Sequence, residues 1–316
     1  MEPQNYEIKR AEIVKAFKEK LSQNRALLKQ RIKLSWSNWG FGLESLDKTA
    51  QRLNRNHIEW IELHGNRYGK DLGYRSQEVL KILGRYNIKV AGLCGMFSRD
   101  NDLAGNSGIV RQQAVDYLRR QLDLCHETGG TYILVAPSAV GRPQPYDDSE
   151  FDRSVETLRL VADDFIKAGV HAAIEPIRSA EVSLVHTIAD ARRYIQAVNH
   201  PGIQHINGDV YHMQTEEASV AGAIMDAGSQ LVNLHLADSN RCALGDGHLD
   251  LDAILMALYL LDYPEGRRFA TPEPLGPGGD PYPAMFGKPQ AAVLDTLVEH
   301  TANYWRKREE QIKTLV

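Results

Sequence analysis

The sequence predicts an α/β chain closed into a (β/α)8 TIM barrel with an N-terminal helical extension, and three observations carry that prediction. Short apolar runs alternate with longer amphipathic stretches from Ile32 to the end of the 316-residue chain. Eight such strand–helix units follow one another with no strand-rich block and no low-complexity linker between them. No GxGxxG joins the first strand to a helix, as an open dinucleotide-binding sheet would require. Composition agrees, because 43% hydrophobic residues beside 25% charged ones suit a large core, and the apolar share exceeds what a disordered chain carries.

Residues 1–31 form a charge-rich segment in which Ile13, Phe17 and Leu21 recur every four residues, with Val14 beside them and Ala26, Leu27 and Leu28 following. One apolar stripe on an otherwise polar helix predicts an amphipathic extension that packs on the main domain or on a neighbouring subunit. A membrane-surface helix is the alternative, opposed by Glu2, Glu7, Glu12 and Glu19 among the bases. Residues 32–316 then make the barrel. Its strands are expected at 32–36, 58–63, 88–93, 131–136, 171–175, 203–209, 231–236 and 267–273. Helices are expected at 43–55, 75–86, 108–127, 149–168, 187–198, 215–228, 250–262 and 289–313. Ser149 and Thr187 stand as N-caps, and the glycines in 127–130 and 167–170 suit left-handed helix ends. The run GPGGDPYP at 276–283 leads into proline rather than a helix and reads as a loop bordering the pocket.

Several function classes drop out early. A net charge of −4 gives no electrostatic footprint for nucleic acid. No window approaches the ~20 apolar residues of a membrane helix, and MEPQNYEIKR has no apolar h-region, so neither a membrane span nor a secretory signal is expected. Cys94, Cys125 and Cys242 lie far apart without a CxxC, which fits a reducing compartment, the cytoplasm. HExxH, a serine nucleophile elbow and a P-loop are all missing from the sequence.

In a barrel, chemistry sits at the carboxyl ends of the strands. There the fifth strand ends in Glu175, the sixth in Asp209, the seventh near His235 and the eighth in Glu273. Taken singly, a histidine in LVNLHL can be an interior residue, and the glutamate of HAAIEP can pair with Arg178. Three carboxylates and an imidazole on four consecutive strands would repel one another without a cation, so the set predicts a divalent metal site. Oxygen donors with one nitrogen suit Mn2+ first, with Co2+ or Mg2+ as alternatives.

EPIRSAE (175–181), GDVYHM (208–213), HLADSNR (235–241) with GDGHLD (245–250), and TPEP (271–274) resemble the signatures of the xylose-isomerase-like barrel family of sugar (phosphate) isomerases and epimerases. The D-tagatose/D-psicose (allulose) 3-epimerase branch fits best. That resemblance implies Glu175, Asp209, His235 and Glu273 as metal ligands and Glu181, His212 and Arg241 as substrate contacts. It covers roughly residues 32–300, and the chain departs from it in the N-terminal 31 residues and in the longer loop after Glu273.

The implied reaction is ketose 3-epimerisation through a cis-enediolate, with Glu175 and Glu273 as the acid/base pair on opposite faces of the carbon. Two bases are needed because a single one returns the proton to the face it left. Arg241 supplies donors for the carbonyl end; His212 and Glu181 fix the neighbouring hydroxyls or, alternatively, support the metal ligands from behind. Trp36, Trp39 and His64 share the rim and offer an aromatic wall or ordinary packing, while Glu62 and Cys94 take no part in this scheme. The partner is a small sugar or sugar phosphate, with no nucleic acid and no membrane. Homo-oligomers are compatible, the family's barrels often pairing. An aldose–ketose isomerase shares the site; an inosose-type dehydratase, an abasic-site endonuclease and a non-catalytic sugar-binding protein are weaker rivals.

Overall fold

The computed structural model describes residues 4–65, 74–276, 279–280, 284–285, 287 and 290–315. Its strands are β1 (Lys33–Leu34), β2 (Trp60–His64), β3 (Lys89–Cys94), β4 (Tyr132–Val135), β5 (His171–Ile174), β6 (His205–Asp209), β7 (Leu231–Leu236) and β8 (Phe269–Pro272). They lie in the order β1-β8-β7-β6-β5-β4-β3-β2, and the pairs are parallel. The ring closes at the Ser37–Glu62 bridge, where the Glu62 N–H donates to the Trp36 carbonyl (2.9 Å) and the Asn38 N–H to the Glu62 carbonyl (3.1 Å). Every strand falls where its apolar run placed it, with ends shifted by at most two residues.

The helices are α1 (Asn5–Gln23), α2 (Leu46–Arg55), α3 (Ser76–Gly84), α4 (Gly108–Thr128), α5 (Glu150–Arg159), α6 (Ala162–Ala168), α7 (Ile188–Val198), α8 (Val210–Glu216), α9 (Val220–Ala227), α10 (Leu251–Leu260) and α11 (Ala291–Lys313). Gly129 and Gly169 end α4 and α6 in the left-handed region, at φ 76° and 65°. Thr187 caps α7 through a reciprocal box with Asp190. Two local readings need correction. The stretch 149–168 is two helices, and Ser149, though it stands at the N-cap, makes no side-chain cap bond because its ψ of 2° is not extended. The helix α8 was not anticipated; it starts directly off β6 because Asp209 accepts the Tyr211 N–H (2.8 Å) and caps it. Of the run 276–283, residues 277–278 and 281–283 lie outside the described residues.

Helix α1 spends its apolar stripe on the barrel. Ile13, Phe17 and Leu21 are buried, Phe17 completely, and its ring lies 6.0 Å from that of Tyr259 on α10. Polar contacts fix the same face: Arg10 pairs with Asp250 (2.7 Å), and Lys20 donates to the Leu260 carbonyl (2.9 Å) and pairs with Asp262 (2.6 Å). Just after the helix, the Gln30 carbonyl accepts from the Tyr259 hydroxyl (3.0 Å) and from Lys313 Nζ (2.6 Å), so α1, α10 and α11 are tied together. No helix among the described residues is long and apolar enough to cross a membrane.

Removing the Phe17 ring leaves a dry cavity under α1. Phe17→Ala is expected to lower unfolding stability by about 3–5 kcal/mol, read from the shift of the urea midpoint. A change below about 1 kcal/mol would show that α1 contributes no packing energy to the barrel.

Candidate metal centre and active site

Strand alternation builds the site from below. Along β5 to β8, the residues two positions before each candidate ligand are Ala173, Asn207, Asn233 and Thr271, and the next inward positions are Glu175, Asp209, His235 and Glu273. The lowest layer is apolar: Ala91, Tyr132, Ala173, Val232 and Phe269 pack together, with Trp60 against them. Above it lies a polar layer in which each donor has an acceptor. Thr271 Oγ1 donates to Asn233 Oδ1 (2.6 Å), Asn233 Nδ2 to Asn207 Oδ1 (2.7 Å), and Asn207 Nδ2 to Glu175 Oε1 (2.8 Å). A network satisfied in this way holds its members rigidly.

Glu62, left without a role by the sequence, is the keystone of that layer. Its carboxylate is fully buried and accepts from the Tyr132 hydroxyl (2.7 Å) and from His235 Nε2 (2.9 Å). A Cβ at Gly92 would stand 2.6 Å from the Tyr132 ring, so glycine there lets the phenol cross the barrel to Glu62. With Nε2 donating downward, His235 presents Nδ1 to the mouth of the barrel.

Around Nδ1 stand Glu273 Oε2 at 3.2 Å and Glu175 Oε1 at 3.5 Å. Glu175, Asp209 and His235 bring ligand atoms within 4.8 Å of one another, and Glu62, Cys94, His235 and Glu273 do the same. His235 belongs to both groups. In the second, Glu62 is already committed to Tyr132 and Nε2. The Cys94 thiol is driven strongly to its protonated form by burial, with Glu62, Glu273 and Glu175 adding to the effect. The oxygen-rich set of Glu175, Asp209, His235 Nδ1 and Glu273 is therefore the one whose chemistry fits a hard divalent cation.

Electrostatics support that fit. Burial raises the pKa of Glu175, and it pushes Glu273 up to about 8, with Asp209 reinforcing the rise and His235, Arg241 and the Trp39 N–H opposing it. Burial alone would depress His235, but Glu273 and Glu62 overcome it and hold its pKa well above the ordinary imidazole value. Carboxyls this reluctant to ionise, packed against a proton-holding imidazole, mark a place short of positive charge. The buried Nδ1 of His212 has no hydrogen-bond partner among the described residues, and its Nε2 lies 3.2 Å from Asp209 Oδ2.

The remaining predicted residues converge on one cleft, lined by Glu175, Asp209, His235, Glu273, Glu181, His212 and Arg241. Glu181 is paired with Arg178 (2.6 Å), whose guanidinium also reaches the Tyr211 hydroxyl (3.1 Å). The Arg241 guanidinium lies over the rings of Tyr211 and Trp39, 4.4 and 5.7 Å from their centroids. Its backbone is held in the left-handed region, φ 61°, by the Asp238 carbonyl, and its own carbonyl accepts from Leu275 and Gly276 past β8. Asp238 in turn accepts from the backbone of Ser239, Gly245 and Leu249, which knots the loop of HLADSNR and GDGHLD.

The aromatic rim divides. Trp39 donates to Glu273 Oε2 (2.6 Å) and lines the cleft. Trp36 is buried against Phe41 in the core, and His64 borders a separate surface depression. Cys94 lines the cleft after all, with Met96, Phe97, Leu134, Val140 and Ile177.

Eight parallel strands with this cluster at their carboxyl ends define a barrel whose chemistry is placed on the βα loops around a candidate metal site. The chain belongs to the xylose isomerase-like TIM barrel family, which matches residues 36–286. It is 26% identical over 184 residues to an L-ribulose 3-epimerase of Methylomonas sp. (strain DH-1); the match spans 58% of this chain and 64% of that protein. To the 3-dehydro-D-guloside 4-epimerase of Escherichia coli (strain K12) it is 27% identical over 244 residues, 73% of this chain and 89% of the relative. Its fold is shared with a Methylomonas sp. D-allulose 3-epimerase solved in complex with D-allulose, at TM-score 0.75 and 20% identity, covering 88% of this chain and 98% of that one. It is shared likewise with the Escherichia coli 3-keto-D-glucoside 4-epimerase, at TM-score 0.70 and 24% identity, covering 84% and 99%.

Glu62→Gln keeps the shape under His235 but removes the anion that orients and polarises it. Mn2+ affinity, measured by calorimetry, is expected to fall about 10–100-fold. Unchanged affinity would show that the imidazole needs no anchor from below.

Proposed function

We propose that the protein is a divalent-metal-dependent sugar epimerase that inverts a hydroxyl-bearing carbon next to a ketone, and that its substrate is an unphosphorylated ketose inverted at C3. The observation that carries this reading is the pair Glu175 and Glu273. Both are buried, both lie within 3.5 Å of His235 Nδ1, and they come from β5 and β8, on either side of β6 and β7. The proposed metal ligands are Glu175, Asp209, His235 and Glu273, and Mn2+ is the favoured ion. Held there, a divalent cation would supply Lewis acidity for the charge that collects on the two substrate oxygens as the proton leaves.

The chain's own groups divide the remaining work. Glu175 and Glu273 serve as the two proton carriers, one ionised and one protonated at the start of each turnover, and their titration belongs to the pair. Their burial and their placement on either side of the imidazole support that division. Asn207 steadies Glu175, and the Trp39 N–H steadies Glu273, so each carboxylate keeps its orientation while its proton moves. Arg241, His212 and Glu181 are the proposed substrate contacts, with His212 also bracing Asp209. Apolar Phe97, Val140 and Ile177 exclude water from the far side.

Charge in the cleft supports a sugar without phosphate. Four carboxylates line it, and Arg241 carries the one guanidinium or ammonium group among the described lining residues. A phosphate dianion calls for several converging donors. The Escherichia coli 4-epimerase, which matches most of this chain, favours a second substrate within the same chemistry, a 3-keto sugar inverted at C4. Both reactions invert a carbon beside a ketone and differ in which carbon lies between the carboxylates. Cytoplasmic location completes the proposal.

Incubation of the Mn2+-loaded enzyme in D2O with D-allulose, D-tagatose and a 3-keto-glucoside tests it. Deuterium at C3 of a ketose, with inverted product, is expected. Label confined to C1 or C2 would indicate aldose–ketose isomerisation instead, and binding without exchange would remove the catalytic reading. Glu273→Gln should retain part of the metal affinity and lose about 10²–10⁴-fold in turnover; near-normal turnover would contradict the two-carboxylate mechanism.

A further inference from the structure

In an eight-stranded barrel, β3 and β4 face β7 and β8, so the loops after β3 and β4 build the cleft wall across from His235 and Glu273, and the loop after β5 adjoins them. One buried guanidinium holds these three loops. Arg142, 3% exposed, uses all five of its N–H groups. Nε and Nη2 donate to Asp102 Oδ2 (3.1 and 2.9 Å) from the loop after β3. Nη1 and Nη2 donate to Glu150 Oε2 and Oε1 (3.1 and 2.7 Å), and Nη1 also donates to the Gln144 carbonyl (2.8 Å). Each acid is fastened further. Asp102 Oδ1 accepts the Ala104 and Ala139 N–H groups, and Glu150 accepts the Ser183 hydroxyl from the loop after β5.

The same position grips a proposed substrate contact directly. The N–H groups of Gly141 and Arg142 both donate to the Glu181 carbonyl (2.9 and 3.0 Å), and Arg142 bridges Val182 in parallel. The loop carrying Glu181 does not rest in this shape unaided. Val185, a β-branched residue, is held at φ 60°, in the region that L side chains avoid. A chain segment kept there needs anchors, and the Arg142 node with Ser183 supplies them. Fastened to the same node are Phe97 and Val140, whose backbones are joined by the Val140 N–H to Phe97 carbonyl bond (3.2 Å), and both line the cleft.

We propose that Arg142 is a positioning residue for substrate recognition: its ion node with Asp102 and Glu150 fixes the far wall of the cleft and sets Glu181 where the sugar hydroxyls meet it. This rests on the reading of the cleft as the sugar pocket. The node touches none of the four proposed metal ligands, so it governs substrate binding and leaves metal binding alone.

Arg142→Lys keeps the charge but cannot span both acids. Hydrogen exchange by mass spectrometry is expected to show faster exchange in all three segments 96–107, 136–149 and 175–187 together, with β6 to β8 unchanged. With D-allulose as the probe, KM should rise about tenfold while kcat stays within about threefold, and the Mn2+ dissociation constant should hold within about twofold. In a Glu181→Gln background the same change should raise KM by less than about twofold, because the two act through one contact. Exchange confined to 136–149, a shifted Mn2+ affinity, or an equal KM penalty in both backgrounds would overturn the proposal. If Arg142→Lys does not fold, Ser183→Ala decides: faster exchange in 175–187 supports the node, and an unchanged pattern refutes it. Should the wild type leave D-allulose untouched, the epimerase reading fails on that sugar while the exchange result still judges Arg142.

Discussion

Like charges gathered out of water set the terms for this molecule. Glu175, Asp209 and Glu273 are each less than a tenth exposed and meet around one imidazole, a crowd that a low-dielectric interior penalises heavily. Protonation relieves part of that cost, as the raised carboxyls and the proton-holding His235 show, and a doubly charged ion relieves more of it. The rest of the barrel is arranged to keep the crowd in place. Glu62 pins the imidazole from below, the Asn233–Asn207 bond carries that rigidity across to Glu175, and Trp39 fixes Glu273 from the rim.

Rigid strands provide the positions, and loops provide the selectivity. The four cluster residues ride on β5 to β8 or one residue past their ends, where parallel ladder bonds limit movement. In the proposed function, substrate recognition falls to loops that are knotted by buried carboxylates: Asp238 for the loop of Arg241, and Asp102 with Glu150 for the loops around Glu181. Backbone strain at Arg241 and Val185 sits in these loops and not in the strands, as expected where side chains must be aimed at a ligand. An epimerase requires this division, because inversion is exact only if the carbon stays fixed while a proton leaves one face and another arrives on the opposite one.

Much of this was legible in the amino-acid order. Strands alternating with amphipathic stretches give the barrel because strand and helix periods are local properties, and Glu175, Asp209, His235 and Glu273 stand out because each lies at or next to the carboxyl end of an expected strand. Glu62 was not legible. In IEWIEL it looks like any strand residue on a polar face, and its meaning depends on His235, 173 positions away. The signal that would have exposed it is a charge on the inward parity of a strand buried on both sides, together with polar residues two places before three of the ligands, in NGD, NLH and TPE. Trp36 and Trp39 were likewise inseparable by composition; the short helical turn after Asn38 turns one toward the core and the other toward Glu273. Arg142 and Asp102 lie in loops and Glu150 opens α5, and their pairing is set by tertiary contacts that no periodicity encodes.

The most direct measurement is anomalous scattering from a crystal of the protein grown with Mn2+. The account predicts one strong peak at the mouth of the barrel, within coordination distance of Glu175, Asp209, His235 Nδ1 and Glu273, with Glu62 still bonded to Nε2. A peak centred instead on Cys94 and Glu62, or none at this cluster in crystals saturated with the ion, would contradict it.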